Sequence, residues 1–387
     1  MIYFKINSIV YSTGFAIFAV FFGCGNVIFS IQTGILETNN IFISIFGFFI
    51  TSVIIPFLGF YSCILYNCNY RLFFSTLGKI PSFLLITFLI IMIGPLFAMP
   101  RTEVISYGSI VSYLPCVLKD KSFFCFFYCI LVFFFTYSQV KIINILGNIL
   151  SPIKIFPFLI LIFFEFFFSE KNNFLILNND VFKDSVFFGY GSMDLLGTFF
   201  LCSVLYNSFF LSLRSSLSII EINKMFIFSC FFGYFIISVV YIFIILISHN
   251  HIYDLKYIIP EMHISVLSVL ILDNFLGTIV NICVSISCLA TVIALADVTA
   301  DYIYKDVLNE RVPRVFCLLF IILLTFLMSN FDFNFIVYLA SPILNIIYPT
   351  LIVLSVFNVI YKITGFNIVK ISFYFTILLC FIYSFIC

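Results

Sequence analysis

The sequence predicts an all-α integral membrane protein of about eleven transmembrane helices. Three observations lead there. Apolar types make up 64% of the 387 residues and charged types 9%, where a soluble domain is nearer half apolar and a quarter charged. Apolar runs of about 20 residues, the length that crosses a bilayer, recur from one end of the chain to the other. The segments between them are too short and too apolar to build a separate soluble domain, so residues 1–387 read as one transmembrane domain. A soluble core has no room for so many such runs, and the lipid bilayer is the solvent they require.

Taken in order, spans are predicted at 8–36, 41–65, 82–112, 122–140, 144–168, 190–212, 225–248, 274–302, 314–330, 334–361 and 368–386. The first and third are longer than one straight crossing needs and are expected to be broken, tilted or protruding. The first follows Lys5 closely, yet it contains a Gly-rich interruption and ends without a small-residue cleavage site. It therefore reads as a retained helix and not as a signal peptide. The two longest outer segments, 169–189 and 249–273, are polar enough to be solvated, and the second has room for a short surface helix at 261–272.

Orientation follows from the basic residues of the loops. With the N-terminus in the cytoplasm, 11 fall inside (Lys5, Arg71, Lys79, Lys141, Arg214, Lys224, Lys305, Arg311, Arg314, Lys362, Lys370) and 5 outside (Lys119, Lys121, Lys171, Lys183, Lys256). Arg101 and Lys154 lie within helices. An odd number of spans then places the C-terminus outside.

Composition excludes several classes of function. A net charge of +1 gives no electrostatic case for nucleic acid. No GxxxxGK[ST] loop is present, which argues against an ATP-driven motor in this chain. The 13 Cys form no CxxC pair and lie mostly in apolar runs, so they read as buried fillers and not as disulfides or metal ligands. His249, His251 and His263 share an outer loop without a ligand pattern. With 58 Phe, 22 Tyr and no Trp, the interfacial aromatic belt must be built from Tyr.

The chemistry must then lie within the bundle. Phe22-Gly23-Cys24-Gly25-Asn26 interrupts the first apolar run with two Gly, each costing a helix about 1 kcal/mol relative to Ala. At membrane depth, backbone groups freed by a break have to line a cavity or be buried in protein. The N–H groups near Gly25 and Asn26 would face an anion, and the carbonyls near Ala19, Phe21 and Phe22 a cation or an ammonium. The same Gly spacing also suits a close contact between helices.

A second signal, Gly94-Pro95-Leu96-Phe97-Ala98-Met99-Pro100-Arg101-Thr102-Glu103, puts two Pro and a possible Arg101–Glu103 ion pair in one helix. Charge at that depth faces the bundle interior or water, unless the stretch lies at the membrane surface, where Arg101 would snorkel. A third, Gly189 to Thr198, leads into the sixth helix, where Asp194 complements the helix dipole and Gly197, Cys202 and Ser203 leave room for a second break. A fourth, Ser287-Cys288-Leu289-Ala290-Thr291, sets two hydroxyls on one helix face. They could serve a hard cation or bond back to their own backbone. Lys154 and Glu165 lie about three turns apart on one face of the fifth helix, too far apart to touch. Asp297 and Asp301 mark the inner end of the eighth.

These stretches resemble the LIVCS family of bacterial branched-chain amino acid:cation symporters. The matching segments are GFAIFAVFFGCGNVIF at 14–29, GPLFAMPRT at 94–102, NILSPIK at 148–154, GYGSMDLLG at 189–197, SCLAT at 287–291 and SPILNIIYPT at 341–350. They run in order over about residues 8–361. The resemblance implies a LeuT-type fold, with inverted five-helix repeats at 8–168 and 190–361, helices one and six broken at the midplane, and an extra C-terminal helix at 368–386. It leads one to expect a twelfth helix, where eleven are counted.

By motif match the substrate site comprises Phe21, Gly23, Gly25, Asn26, Phe199 and Cys202. The carboxylate would meet Gly25 and Asn26, and the ammonium the carbonyls near Phe21 and from Phe199 to Cys202. Sodium would sit among Ala19, Phe22, Ser287 and Thr291, with no other cofactor. The sequence departs from the family at Ser30-Ile31, at Cys202 where a Gly is expected in the second break, and at Ala290, where some members carry Thr.

The implied function is sodium-driven import of leucine, isoleucine or valine across the cell (inner) membrane by alternating access, which is transport and not enzymatic catalysis. The alternatives are a related carrier with proton coupling or another substrate, and a decayed membrane protein that no longer transports. A subunit of a proton-pumping assembly would need Lys and Glu at mid-helix in several helices, and an intramembrane hydrolase would need a nucleophile paired with a base. Neither pattern is present.

Overall fold

The computed structural model describes residues 2–36, 38, 40–137, 151–168, 180–214 and 217–386. Lys141, Asn148-Ile149-Leu150 and Lys171 fall outside them, as do the facing ends of the spans expected at 122–140 and 144–168. Among the described residues there is no strand. The main helices are α1 (Ile2–Phe21), α2 (Cys24–Gly34), α3 (Ile41–Ile64), α4 (Lys79–Ile91), α5 (Ala98–Ile110), α6 (Lys121–Tyr137), α7 (Ser151–Phe168), α8 (Val181–Gly191), α9 (Asp194–Leu213), α10 (Ile219–Asn250), α11 (His263–Tyr302), α12 (Arg314–Ser329), α13 (Phe333–Thr364) and α14 (Val369–Ile386).

Among the described residues six helices are long and apolar enough to cross a membrane, or seven if the bent pair α1–α2 forms one span. Helices α6, α12 and most of α14 are shorter apolar helices. The protein is thus a multi-pass membrane protein. Its outward faces carry large apolar side chains such as Phe42, Phe134, Phe166 and Phe275, each more than two-thirds exposed, as a surface solvated by lipid requires. Helix ends obey local chemistry. Ser218 and Glu221 form a reciprocal capping box at the start of α10, and Gly365, at φ +78°, ends α13.

The third long segment bends where two Pro and a Gly predict it. Gly94 leaves helical geometry between α4 and α5, inside a π-helical turn that contains Pro95. The long helix α11 turns sharply at Asp273 (φ +61°), so the short helix expected at 261–272 exists as His263–Leu272. It folds back on the rest of α11, with Ser268 Oγ 2.9 Å from Asn281 Oδ1 and the Asn281 amide donating to Ser265 Oγ at 3.2 Å. The sixth span begins earlier than its hydropathy implies, because α8 starts at Val181.

Helix contacts in the core rest on small residues. Gly14 of α1 meets Gly233 of α10 so closely that a Cβ on Gly233 would lie 2.8 Å from the Gly14 carbonyl oxygen. Side chains there would hold the two backbones apart. Helix α5 packs along α11, and α7 also lies against α11. Helix α2 meets both α5 and α11, so the first, third, fifth and eighth spans of the sequence come to one place.

Candidate functional site

The interruption that the sequence marks in the first span is a break in the structure. Helix α1 ends at Phe21, α2 starts at Cys24, and their axes differ by 72°. Gly23 is extended at the junction (φ −97°, ψ 154°) and accepts the first backbone bonds of α2, from Asn26 (3.0 Å) and Val27 (3.3 Å). The N–H groups of Cys24 and Gly25 precede those bonds, at the positive end of the helix dipole.

The second break lies between α8 and α9. Met193 adopts a left-handed conformation there (φ +61°, ψ 19°), which a non-Gly residue holds only under constraint. This corrects the expectation of a break at Gly197, Cys202 and Ser203. Those residues continue α9, because small side chains relax packing without forcing the backbone out of a helix. Helical geometry lapses instead just after Gly189 and Gly191, where Ser192 Oγ donates to the Gly189 carbonyl at 2.8 Å.

Two polar side chains tie the breaks together. The Asn26 amide donates to Asp194 Oδ1 (2.6 Å) and to the Phe21 carbonyl (2.8 Å). It thus joins the first turns of α2 and α9 and gives the Phe21 carbonyl, which also accepts from the Gly23 N–H at 2.9 Å, a second donor. Arg101, on α5, donates through Nη1 to the Gly191 carbonyl and through Nη2 to the Ser192 carbonyl, where α8 presents its negative end. Its guanidinium also stacks over the Phe29 ring at 4.9 Å and borders Gly25, whose built Cβ would lie 3.3 Å from Nη2. Arg101, Asn26 and Asp194 are all buried. Arg101 does not pair with Glu103 as the sequence allows. Glu103 faces the other way, with the Cys129 thiol donating to it at 3.6 Å, because residues two apart on a helix point to different sides.

The cation positions converge in part. Ala19 at the end of α1 and Thr291 in α11 meet at Lys154 of α7, whose Nζ donates to the Ala19 carbonyl at 2.7 Å and to Thr291 Oγ1 at 3.2 Å. Thr291 in turn donates to the Ser287 carbonyl at 3.0 Å. Ser287 is buried beside them, and the Phe22 ring packs on Phe18, Phe158 and Tyr241.

Phe199 and Cys202 lie elsewhere. Phe199 packs on Phe73 and Phe74 of the short helix Tyr70–Ser75, at ring-centroid distances of 5.1 and 5.2 Å. Cys202 is fully buried in the interior of α9, where carbonyls are used by the helix itself. Phe21, Gly23, Gly25 and Asn26 do come together, and their neighbours Asp194, Arg101 and Lys154 complete the polar centre. The sequence showed all three as intramembrane or helix-start charges without showing their partners.

A cavity of about 400 Å³ opens beside this centre. It reaches from Ala19, Lys154 and Thr291 past Asp297 and Asp301 to Asp306. Arg314 bonds both Asp297 and Asp301 at that end, as Arg71 does Asp306.

Paired helix breaks inside an apolar bundle, with buried polar groups at the break and a cavity leading away from it, are the architecture of a membrane carrier. A family model described as Branched-chain amino acid transport protein matches residues 6–386. The chain belongs to this family, which is one of transporters and not of enzymes. It is similar to a protein of Staphylococcus epidermidis provisionally named a branched-chain amino acid carrier, at 25% identity over 368 residues, covering 89% of this chain and 80% of that one. A similarly named protein of Staphylococcus aureus strain MRSA252 is 26% identical over 382 residues, covering 92% and 83%. One from Staphylococcus saprophyticus is 25% identical over 374 residues, covering 89% and 80%.

Proposed function

We propose that this chain imports leucine, isoleucine and valine across the cell membrane by alternating access, driven by a cation gradient. The observation that carries the reading is the Asn26–Asp194 bond between two broken helices in a chain of this family. A zwitterion needs an anion site and a cation site close together at membrane depth, and broken spans supply both from backbone. The substrate carboxylate would meet the start of α2 at Gly23, Gly25 and Asn26, beside the Arg101 guanidinium. Its ammonium would meet the carbonyl side of the break near Phe21, with Asp194 adjacent. Phe199 and Cys202 then shape α9 behind the site. An apolar pocket separates the three aliphatic substrates from one another only weakly.

The wider frame of the reading is an eleven-span LeuT-type inverted repeat, 8–168 with 190–361 and a further helix at 368–386, in the inner membrane with the N-terminus cytoplasmic. The basic residues Arg71 and Lys305 border the cavity mouth, so on this orientation the cavity opens to the cytoplasm, as one state of an alternating cycle does. Sodium among Ala19, Phe22, Ser287 and Thr291 is the coupling that the family resemblance supports. Proton coupling is the second reading, favoured by the presence of the Lys154 ammonium between Ala19 and Thr291.

The test is uptake of radiolabelled leucine into proteoliposomes under sodium, proton or no gradient. Saturable uptake abolished by unlabelled isoleucine and valine is expected. No uptake under any gradient from folded protein would sink the carrier reading and favour a decayed, non-transporting protein.

A further inference from the structure

We propose that the Lys154 ammonium is the resident cation of this carrier, and that the chain accordingly binds no sodium between α1 and α11. The geometry is specific. Lys154 is 1% exposed, and Nζ bridges a carbonyl at the end of the broken α1 and a hydroxyl of α11 at 2.7 and 3.2 Å. Those are hydrogen-bond distances from a nitrogen donor. The Thr291 hydroxyl spends its single proton on the Ser287 carbonyl, which turns its lone pairs to Lys154.

A sodium ion using the same two oxygens would stand in contact with the ammonium. In a buried, weakly screened site that like-charge pair is strongly unfavourable. The oxygens of Ala19 and Thr291 therefore fit one cation, and the chain supplies it covalently. The bridge performs the structural task an ion would perform there, holding the end of α1 against α11 across α7. An intramembrane Lys is costly to retain and marks a functional position.

The other charged and titratable groups around the site have separate roles. Tyr70, Arg71, Asp297, Asp301, Tyr302, Lys305 and Asp306 line the cavity further from α1, with Arg314 bonding Asp297 and Asp301. Helix α1 lines the cavity with Ala16, Ala19 and Val20, and α9 adds Ser203 among apolar residues. Helix α10 brings Glu221, Lys224 and His249 near its ends, and Tyr241, which packs on Phe22. Glu165, on α7 itself, bonds Asn250.

The inference rests on the carrier reading for its transport arm alone, since sodium binding is measured on the purified full chain without substrate. The experiment compares the chain in sodium chloride and choline chloride at equal ionic strength. It reads thermal stability in detergent, binding of radioactive sodium, and leucine uptake into proteoliposomes. For the native chain the same melting temperature, no saturable sodium binding and equal uptake in both salts are expected. Lys154→Met is expected to lose about tenfold or more of sodium-free uptake, since two buried oxygens then lack their donor.

A native chain stabilised by sodium by more than about 2 °C, or one whose uptake rises about tenfold with sodium, overturns the proposal. So does full uptake by Lys154→Met in choline. Should Lys154→Met fail to fold, the native-chain arms still decide. Should leucine uptake be absent throughout, the carrier reading fails while the sodium-binding arm still tests Lys154.

Discussion

The side-chain amide of Asn26 donates to the carboxylate of Asp194 at 2.6 Å, joining the first turns of two helices that begin in the middle of their spans. Each helix start offers unpaired N–H groups, and Asp194 complements one of them while Asn26 links the pair. Replacing Asn26 with Ala leaves a buried carboxylate short of a donor, at a cost of about 1–3 kcal/mol. The expected result is a lower melting temperature together with at least tenfold weaker leucine uptake. Uptake at the native level would remove the bond from the mechanism.

Gly25 borders Arg101 so closely that a Cβ would lie 3.3 Å from Nη2. The guanidinium can yield slightly to Ala but not to a branched side chain, which would also cover the N–H groups of the helix start. Gly25→Leu is expected to abolish leucine binding and uptake while the helical circular dichroism signal stays native. Binding of radiolabelled leucine in detergent checks this directly, and undiminished affinity would exclude the start of α2 as the carboxylate site.

Arg101 reaches the carbonyls of both Gly191 and Ser192 and sits over the Phe29 ring at 4.9 Å. Lys has neither the fork nor the plane. Arg101→Lys should therefore keep the charge but lose the double contact, lowering stability by about 1–3 kcal/mol and raising the KM for leucine severalfold. Equal behaviour of Arg101→Lys and native protein would show that only charge matters there.

At the far end of α7 the two carboxylates Glu165 and Asp254 flank His251, at 3.2 and 3.3 Å. The bond to Glu165 first, and then Asp254, holds the His251 ring protonated above its ordinary 6.5. A raised folded-state value means that the contact stabilises fully below about pH 6.5 and is lost as pH rises through the raised value. The native chain should melt above His251→Gln at low pH, and the two should converge as pH rises. A difference that grows with pH would contradict the assignment.

Gly189 sits where a Cβ would lie 1.7 Å from Thr51 Oγ1, on the neighbouring α3. Gly189→Ala should destabilise by about 1–3 kcal/mol through overpacking, and Thr51→Ala in the same chain, which removes Oγ1 but keeps a Cβ 2.7 Å from the new one, should recover only part of that loss. Thermal melting of the single and double variants measures both. An additive pair would mean that α8 and α3 can part without cost.

Hydropathy alone determined that this chain lives in lipid and roughly where its long helices run, since apolar runs of that length have no other stable solvent. It also marked the interruptions at Gly23 to Asn26 and at Gly94 with Pro95, because Gly and Pro act on the backbone locally. The break at Met193 was hidden. A left-handed residue held by its surroundings leaves no mark in composition, whereas the small residues around Cys202 drew attention and stayed helical. Ala19 and Thr291 were singled out for a cation, but Lys154 was read as an intrahelical charge and as part of a family-like segment, with no partner assigned. Which of the buried charges Arg101, Glu103, Lys154 and Asp194 meet which partners was decided by the tertiary structure. Those partners are 135, 137 and 168 residues apart in the chain for Lys154–Ala19, Lys154–Thr291 and Asn26–Asp194. Contacts across such separations follow from how helices pack against one another, and no local pattern of residues encodes them.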